Sequence, residues 1–246
     1  MRITTAMTAL LLSTSTVLAG TTTTTIDFES GTGGWEGPQG IGGTTFVDAT
    51  GGVGGSAGLR TQFNNFGITF DNSTNNAFIG DYTQYDEVTL SIDVKVDQIG
   101  TFLPVARPWV VELRDYDSAQ GGFPWTSVYL VLGAISQANN SDFVTYSTTI
   151  TDPSSATLPA GWGGFGDEDP NTFEPILPAG VTFADVLSGV DEIAFTTIQP
   201  GFFFSFDDYD VTLDNISITT SAVPAPGALA LLTTAAVGTR RRRRRN

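Results

Sequence analysis

The sequence predicts an all-β body, a two-sheet antiparallel β-sandwich with one short helix, set between two terminal targeting segments. Three observations carry this. Apolar and polar residues alternate with a period of two over many short runs, the joining segments are rich in Gly, Asn, Asp and Pro, and helical spacing occurs once.

Along the chain, residues 22–28 and 58–70 are expected as the opening strands, separated by the turn-rich Gly51-Gly52-Val53-Gly54-Gly55. The strongest pattern follows at 88–96. There Val88, Leu90, Ile92, Val94 and Val96 alternate with Thr89, Ser91, Asp93 and Lys95, so one face is buried and the other wet. Similar alternation predicts strands over 109–115, 127–132, 143–150 and 191–197. The helix precedes the last of these. Thr182 and Asp185 form a capping pair, Phe183, Val186, Leu187 and Val190 share one stripe, and Gly189 sits where the helix would stop. The final strand is expected at 209–218. Val211 and Leu213 hold one phase and Ile216 and Ile218 the other, so a one-residue slip at Asp214-Asn215 implies a β-bulge.

Composition bounds the chemistry. The body contains all 26 acidic residues but, of the cations, only Arg60, Lys95, Arg107 and Arg114, which excludes nucleic acid as a partner held by general electrostatics. Cysteine and histidine are both absent. No disulfide can therefore brace the fold, and Ser-His-Asp catalysis, Cys-His catalysis and His-ligated zinc are all excluded.

The two ends read as addresses. Residues 1–19 place Arg2 before an apolar run and small residues near Ala19, the pattern of a signal peptide cut by signal peptidase. At the other end, Val223-Pro224-Ala225-Pro226 precedes an apolar run and six arginines that begin Arg240-Arg241-Arg242. Positions 222–239 carry no charge, and at about 1.5 Å per residue a helix of that length nearly crosses a hydrocarbon core of about 30 Å. The arginines stay cytoplasmic by the positive-inside rule. This order of Pro turn, apolar span and arginine block resembles the sorting signal of PEP-CTERM proteins, with Ala225 where the family usually has Glu. The resemblance implies transient anchoring in the inner membrane, processing by an exosortase and a place at the cell surface or in an extracellular, exopolysaccharide-rich matrix. Residues 1–19, 20–221 and 222–246 then divide the chain into signal peptide, body and sorting signal.

A second resemblance concerns the body. Asp27-Phe28-Glu29-Ser30-Gly31 with Gly34-Trp35, and Leu213-Asp214-Asn215-Ile216-Ser217-Ile218, are similar to the first and last strands of jelly-roll carbohydrate-binding modules. Residues 183–193 also resemble the laminin B module, another jelly roll. Paired first and last strands would bring Glu29 and Asp214 together as hard oxygen ligands for a structural calcium, against the alternative of two ordinary surface acids.

For a glycan, flat rings supply stacking faces. Trp109, Tyr116, Trp125, Tyr129 and Trp162 are the candidates, with core packing as their alternative. Trp125 beside Pro124 and Trp162 between glycines are expected on loops, whereas Trp35 and Phe202, Phe203 and Phe204 are expected in the core. No residue is assigned a catalytic role. The reading is an exported surface or matrix protein whose body binds polysaccharide or another matrix component, or is purely structural. The alternative is a secreted glycan-active hydrolase using Asp115 with Asp117, or Glu168 with Asp169, as an acid-base pair.

Overall fold

The structure, a computed structural model, describes residues 20–222. In chain order its strands are β1 (Thr21–Ile26), β2 (Gly43–Asp48), β3 (Gly58–Asn65), β4 (Thr69–Asn72), β5 (Tyr85–Ile99), β6 (Arg107–Asp115) and β7 (Thr126–Ile135). There follow β8 (Val144–Ile150), β9 (Trp162–Phe165), β10 (Asp167–Glu168), β11 (Pro175–Ile176), helix α1 (Phe183–Leu187), β12 (Glu192–Thr196) and β13 (Asp207–Ala222). They form a two-sheet antiparallel jelly-roll sandwich. One sheet runs β2-β3-β13-β5-β8 with β1 also on β13, the other β4-β12-β6-β7-β9, and β10 and β11 make a small separate hairpin.

β5 shows why the pattern folds this way. Val88, Leu90, Ile92, Val94 and Val96 are buried to 1% exposure or less, each removal from water worth about 1.5–3 kcal/mol. The intervening residues stay partly exposed, and β5 pairs with β13 on one side and β8 on the other. The bulge expected at Asp214-Asn215 is present: the β5 register shifts between Asp214 and Ser217, and Asn215 takes a positive φ of 48°. It has a use. Before the bulge β13 pairs with β3, and after it with β1, while Leu213 and Ile216 both stay buried. Helix α1 forms where its cap was expected, Thr182 Oγ1 accepting from the Asp185 amide at 3.1 Å and Asp185 Oδ2 from the Thr182 amide at 2.8 Å.

Three expectations need correction. Residues 58–70 are not one strand, because the chain crosses at Phe66-Gly67 and sends β3 and β4 to different sheets. Residue 162 is not in a loop: Trp162 opens β9, half-buried, its ring 5.4 Å from Phe183. Phe202 and Phe203 are not core residues but stand 57% and 94% exposed, on a segment without strand partners, while the half-buried Phe204 lies beneath the Arg107 guanidinium. Aromatics do run through the core, as a contiguous series Phe70, Trp109, Phe195, Trp35 and Phe78. The expected signal peptide and sorting signal lie outside the described residues.

Candidate functional site

β6 has two faces with different chemistry. Trp109, Val111 and Leu113 enter the core, so Val110, Glu112 and Arg114 face outward from the second sheet. Register then lines up their neighbours. Glu112 lies across from Ala194 and Tyr129, Arg114 across from Glu192 and Ser127, and one strand further out come Asp71 and Phe165.

These side chains form one network. Arg114 donates to Glu192 Oε1 at 2.5 Å and to Glu112 Oε2 through Nε at 2.9 Å and Nη2 at 2.6 Å. Glu112 Oε1 accepts from Trp125 Nε1 at 3.0 Å and from Ser127 Oγ at 2.6 Å, and the Tyr116 hydroxyl donates to Glu192 Oε2 at 3.0 Å. Arg114 also lies 4.3 Å from the centre of the Trp125 ring, and Tyr116 meets that ring edge-on at 5.9 Å. Every carboxylate oxygen of Glu112 and Glu192 thus accepts a hydrogen bond, and two of those bonds hold Trp125 and Tyr116 in place.

The network floors a cleft of about 660 Å³. Trp125 and Phe165 form one side, their rings 6.1 Å apart, and residues 198–203 with the exposed Phe202 and Phe203 form the other. Phe173, 74% exposed, and Glu168 complete the rim. The 198–203 segment folds back because Gly201 takes a φ of 81°, a conformation that favours glycine, and the Phe202 amide closes the turn on Gln199. Gly163 has a second such role: a Cβ there would overlap the ring of Tyr129, so the glycine lets that ring lie over the strand.

Asp71 is the exception in the floor. Its half-buried carboxylate has no hydrogen-bond or ion-pair partner among the described residues; the backbone of Asp71 is instead bonded to Glu36. Burial, with the neighbouring charges of Glu192 and Glu36, outweighs the pull of Arg114 and pushes its pKa up to about 6.

The residues singled out in the sequence fall into three groups. Trp125 and Tyr116 are brought together in the cleft network, and Tyr129 lies on the same face. Trp109 is a correction: fully buried and stacked at 6.2 Å on Phe195, it presents no face to a ligand. Trp162 packs inward on Phe183 from the opposite side of the sheet. The hydrolase pairs also dissolve. Asp115 is buried and accepts from the amides of Asp117 and Ser118, while Asp169 is partly exposed, with its pKa held down by the Asn171 and Thr172 amides. A general acid needs the opposite shift.

Glu29 and Asp214 do converge, on residues 53–57. Glu29 Oε1 accepts the Ala57 amide at 2.8 Å, and Asp214 Oδ2 accepts the Val53 amide at 2.8 Å and Ser56 Oγ at 3.0 Å. Asp214 Oδ1 takes the Asn215 amide at 2.7 Å. Calcium asks for six to eight oxygens, from carboxylates, carbonyls and water. Three of the four carboxylate oxygens here already accept amides or a hydroxyl, so an ion would take them in competition with those donors.

Fold and site together define an antiparallel jelly-roll sandwich with an aromatic-walled cleft on one sheet. No family model and no curated protein matches the sequence. Solved structures similar to it include a family 11 carbohydrate-binding module from Clostridium thermocellum in complex with a beta-1,3-1,4-mixed-linked tetrasaccharide, at 14% identity and a TM-score of 0.46, over 80% of this chain and 94% of that one. Another is the CBM22-1 xylan-binding domain from Paenibacillus barcinonensis Xyn10C, at 15% identity and a TM-score of 0.45, over 81% and 94% of the two chains. A family 30 carbohydrate-binding module of a Clostridium thermocellum cellulosomal cellulase follows at 16% identity and a TM-score of 0.39, over 75% and 90%. What the cleft does is read from its own residues.

Proposed function

We propose that the body is a non-catalytic glycan-binding module and that the cleft over β4, β12, β6 and β7 is its site. One observation carries this: Trp125, locked by Glu112, Arg114 and Tyr116, stands in an open cleft whose other walls are Phe165, Phe202 and Phe203. Sugar rings bury their C–H faces on such surfaces while the floor carboxylates accept from hydroxyls. Fixing the ring in advance lowers the entropy lost on binding.

Binding is favoured over hydrolysis because Glu112 and Glu192, held by Arg114 and its neighbours, are not free to act as acid and base. Asp71 and Glu168 are the free carboxyls of the cleft, and release of reducing ends in the test below would give that role to them. We further place the protein outside the cell, exported through residues 1–19 with signal peptidase and sorted through residues 222–246 by an exosortase, so that the module meets surface or matrix polysaccharide.

Affinity electrophoresis through gels containing single soluble polysaccharides tests the reading. The wild type is retarded by at least one polysaccharide and releases no new reducing ends, while the Phe202→Ala/Phe203→Ala double variant migrates freely. Reducing-end release would make the cleft catalytic, and wild-type migration unchanged by every glycan would leave only a structural matrix role.

A further inference from the structure

The cleft has an unbalanced charge that its aromatic walls do not require. Asp71, Glu112, Glu168 and Arg114 line it, and Glu192 joins them through Arg114. The arginine is paired with Glu112 and Glu192, which leaves Asp71 and Glu168 facing the space without a counter-ion among the described residues. The rest of the body cannot lend one. Arg60 is held by Asp210 and Asp48, Lys95 by Asp97, and Arg107 by Asp207.

From this we infer that the cleft selects a glycan bearing positive charge, a chain of hexosamine units with free amines, over neutral or anionic polysaccharides. The inference rests on reading the cleft as a glycan site and adds the class of sugar. An ammonium group satisfies Asp71 directly and offsets its repulsion from Glu192. A neutral sugar offers that carboxylate only hydroxyl donors while drying it further, and a uronate or sulfate adds like charge. The walls point the same way, because the faces of Trp125, Phe165, Phe202 and Phe203 attract cations as well as C–H groups. Arg114 already uses the Trp125 face in this manner, 4.3 Å from its centre. Burial raises the Asp71 pKa in the empty cleft, and a bound ammonium reverses that shift by stabilising the carboxylate.

Calorimetric titration of the full-length protein decides it, with glucosamine oligosaccharides, their fully N-acetylated counterparts of equal length and neutral cello-oligosaccharides. Weakly acidic, low-salt buffer keeps the amines protonated. Trp125→Ala removes a wall without changing charge, so binding it abolishes is counted as binding in the cleft. Glu87→Gln, on the exposed start of β5, removes the same charge as Asp71→Asn but outside the cleft. The wild type is expected to hold the free amine about tenfold or more tighter than the N-acetylated form, with the ratio reduced by Asp71→Asn and kept by Glu87→Gln. Equal binding of the N-acetylated or neutral oligomers, or equal loss in both charge variants, would overturn the inference and leave the glycan site standing. Absence of binding to every oligosaccharide would overturn the inference, and would overturn the glycan site as well only if no polysaccharide gel retards the wild type.

Discussion

At the scale of single residues, side chains that face the cleft and side chains that only look as if they should respond differently to truncation. Trp125→Ala should weaken glycan binding tenfold or more, at about 1.4 kcal/mol per decade, and cost the fold only about 1 kcal/mol. Trp109→Ala should do the reverse, destabilising by about 3–5 kcal/mol, because it empties the stack between Phe70 and Phe195. Parallel melting and binding curves check both. Asp71 gives a pH signature. Its pKa in the fold, about 6, lies above the ordinary 3.8, so the folded state binds more protons between those values. Its contribution is fully present below the lower value and is lost as pH rises through the upper one. Asp71→Asn should therefore raise the melting temperature relative to wild type above about pH 6 and leave it unchanged near pH 3.8. A difference that does not vary with pH would remove the raised carboxyl from the account.

At the scale of elements, period-two alternation made the regular strands legible and failed where glycine or a crossing intervened. The five inward residues of β5 could be read directly, and so could the helix cap at Thr182 and the phase slip at Asn215, because each is a local pattern tied to one geometry. β9 could not: Trp-Gly-Gly-Phe has the composition of a loop, and it is a strand because β7 offers it partners and Tyr129 needs a bare backbone at Gly163. The cleft was half legible. Glu112 and Arg114 sit two apart on a strand whose alternate residues are apolar, which already puts an ion pair on the outward face. Their meeting with Glu192 and Asp71 depends on strand order, which no local pattern carries.

Two tests belong at this scale. Ile92→Asp buries an unpaired carboxylate in the middle of β5 and should cost about 3–5 kcal/mol, whereas Thr89→Asp on the outer face should be tolerated; comparable losses on denaturant unfolding would mean the faces are misassigned. Asp214→Ala frees the Val53 amide and Ser56 hydroxyl and should lower the melting temperature. EDTA should leave the wild-type curve unchanged; a fall on chelation would instead give Glu29 and Asp214 a calcium ion.

At the scale of the whole molecule, the acidic body and the arginine tail are proposed to divide the work. The body keeps all its cations in ion pairs and so presents acid and aromatic surface outward. The terminal segments are proposed to carry the address. Mass spectrometry of protein recovered from the cell surface or medium should find residues 1–19 absent and the chain ending near Pro224, and a mature secreted chain that keeps Arg240 to Arg245 would sink the sorting proposal.

The central claim is that one open, aromatic-walled cleft holds a glycan. Calorimetric titration of the wild type and Trp125→Ala with the polysaccharide that most retards the wild type tests it most directly. The wild type is expected to give a saturable isotherm and the variant to lose affinity tenfold or more, with both proteins melting at nearly the same temperature. Equal affinities in the two proteins would contradict it.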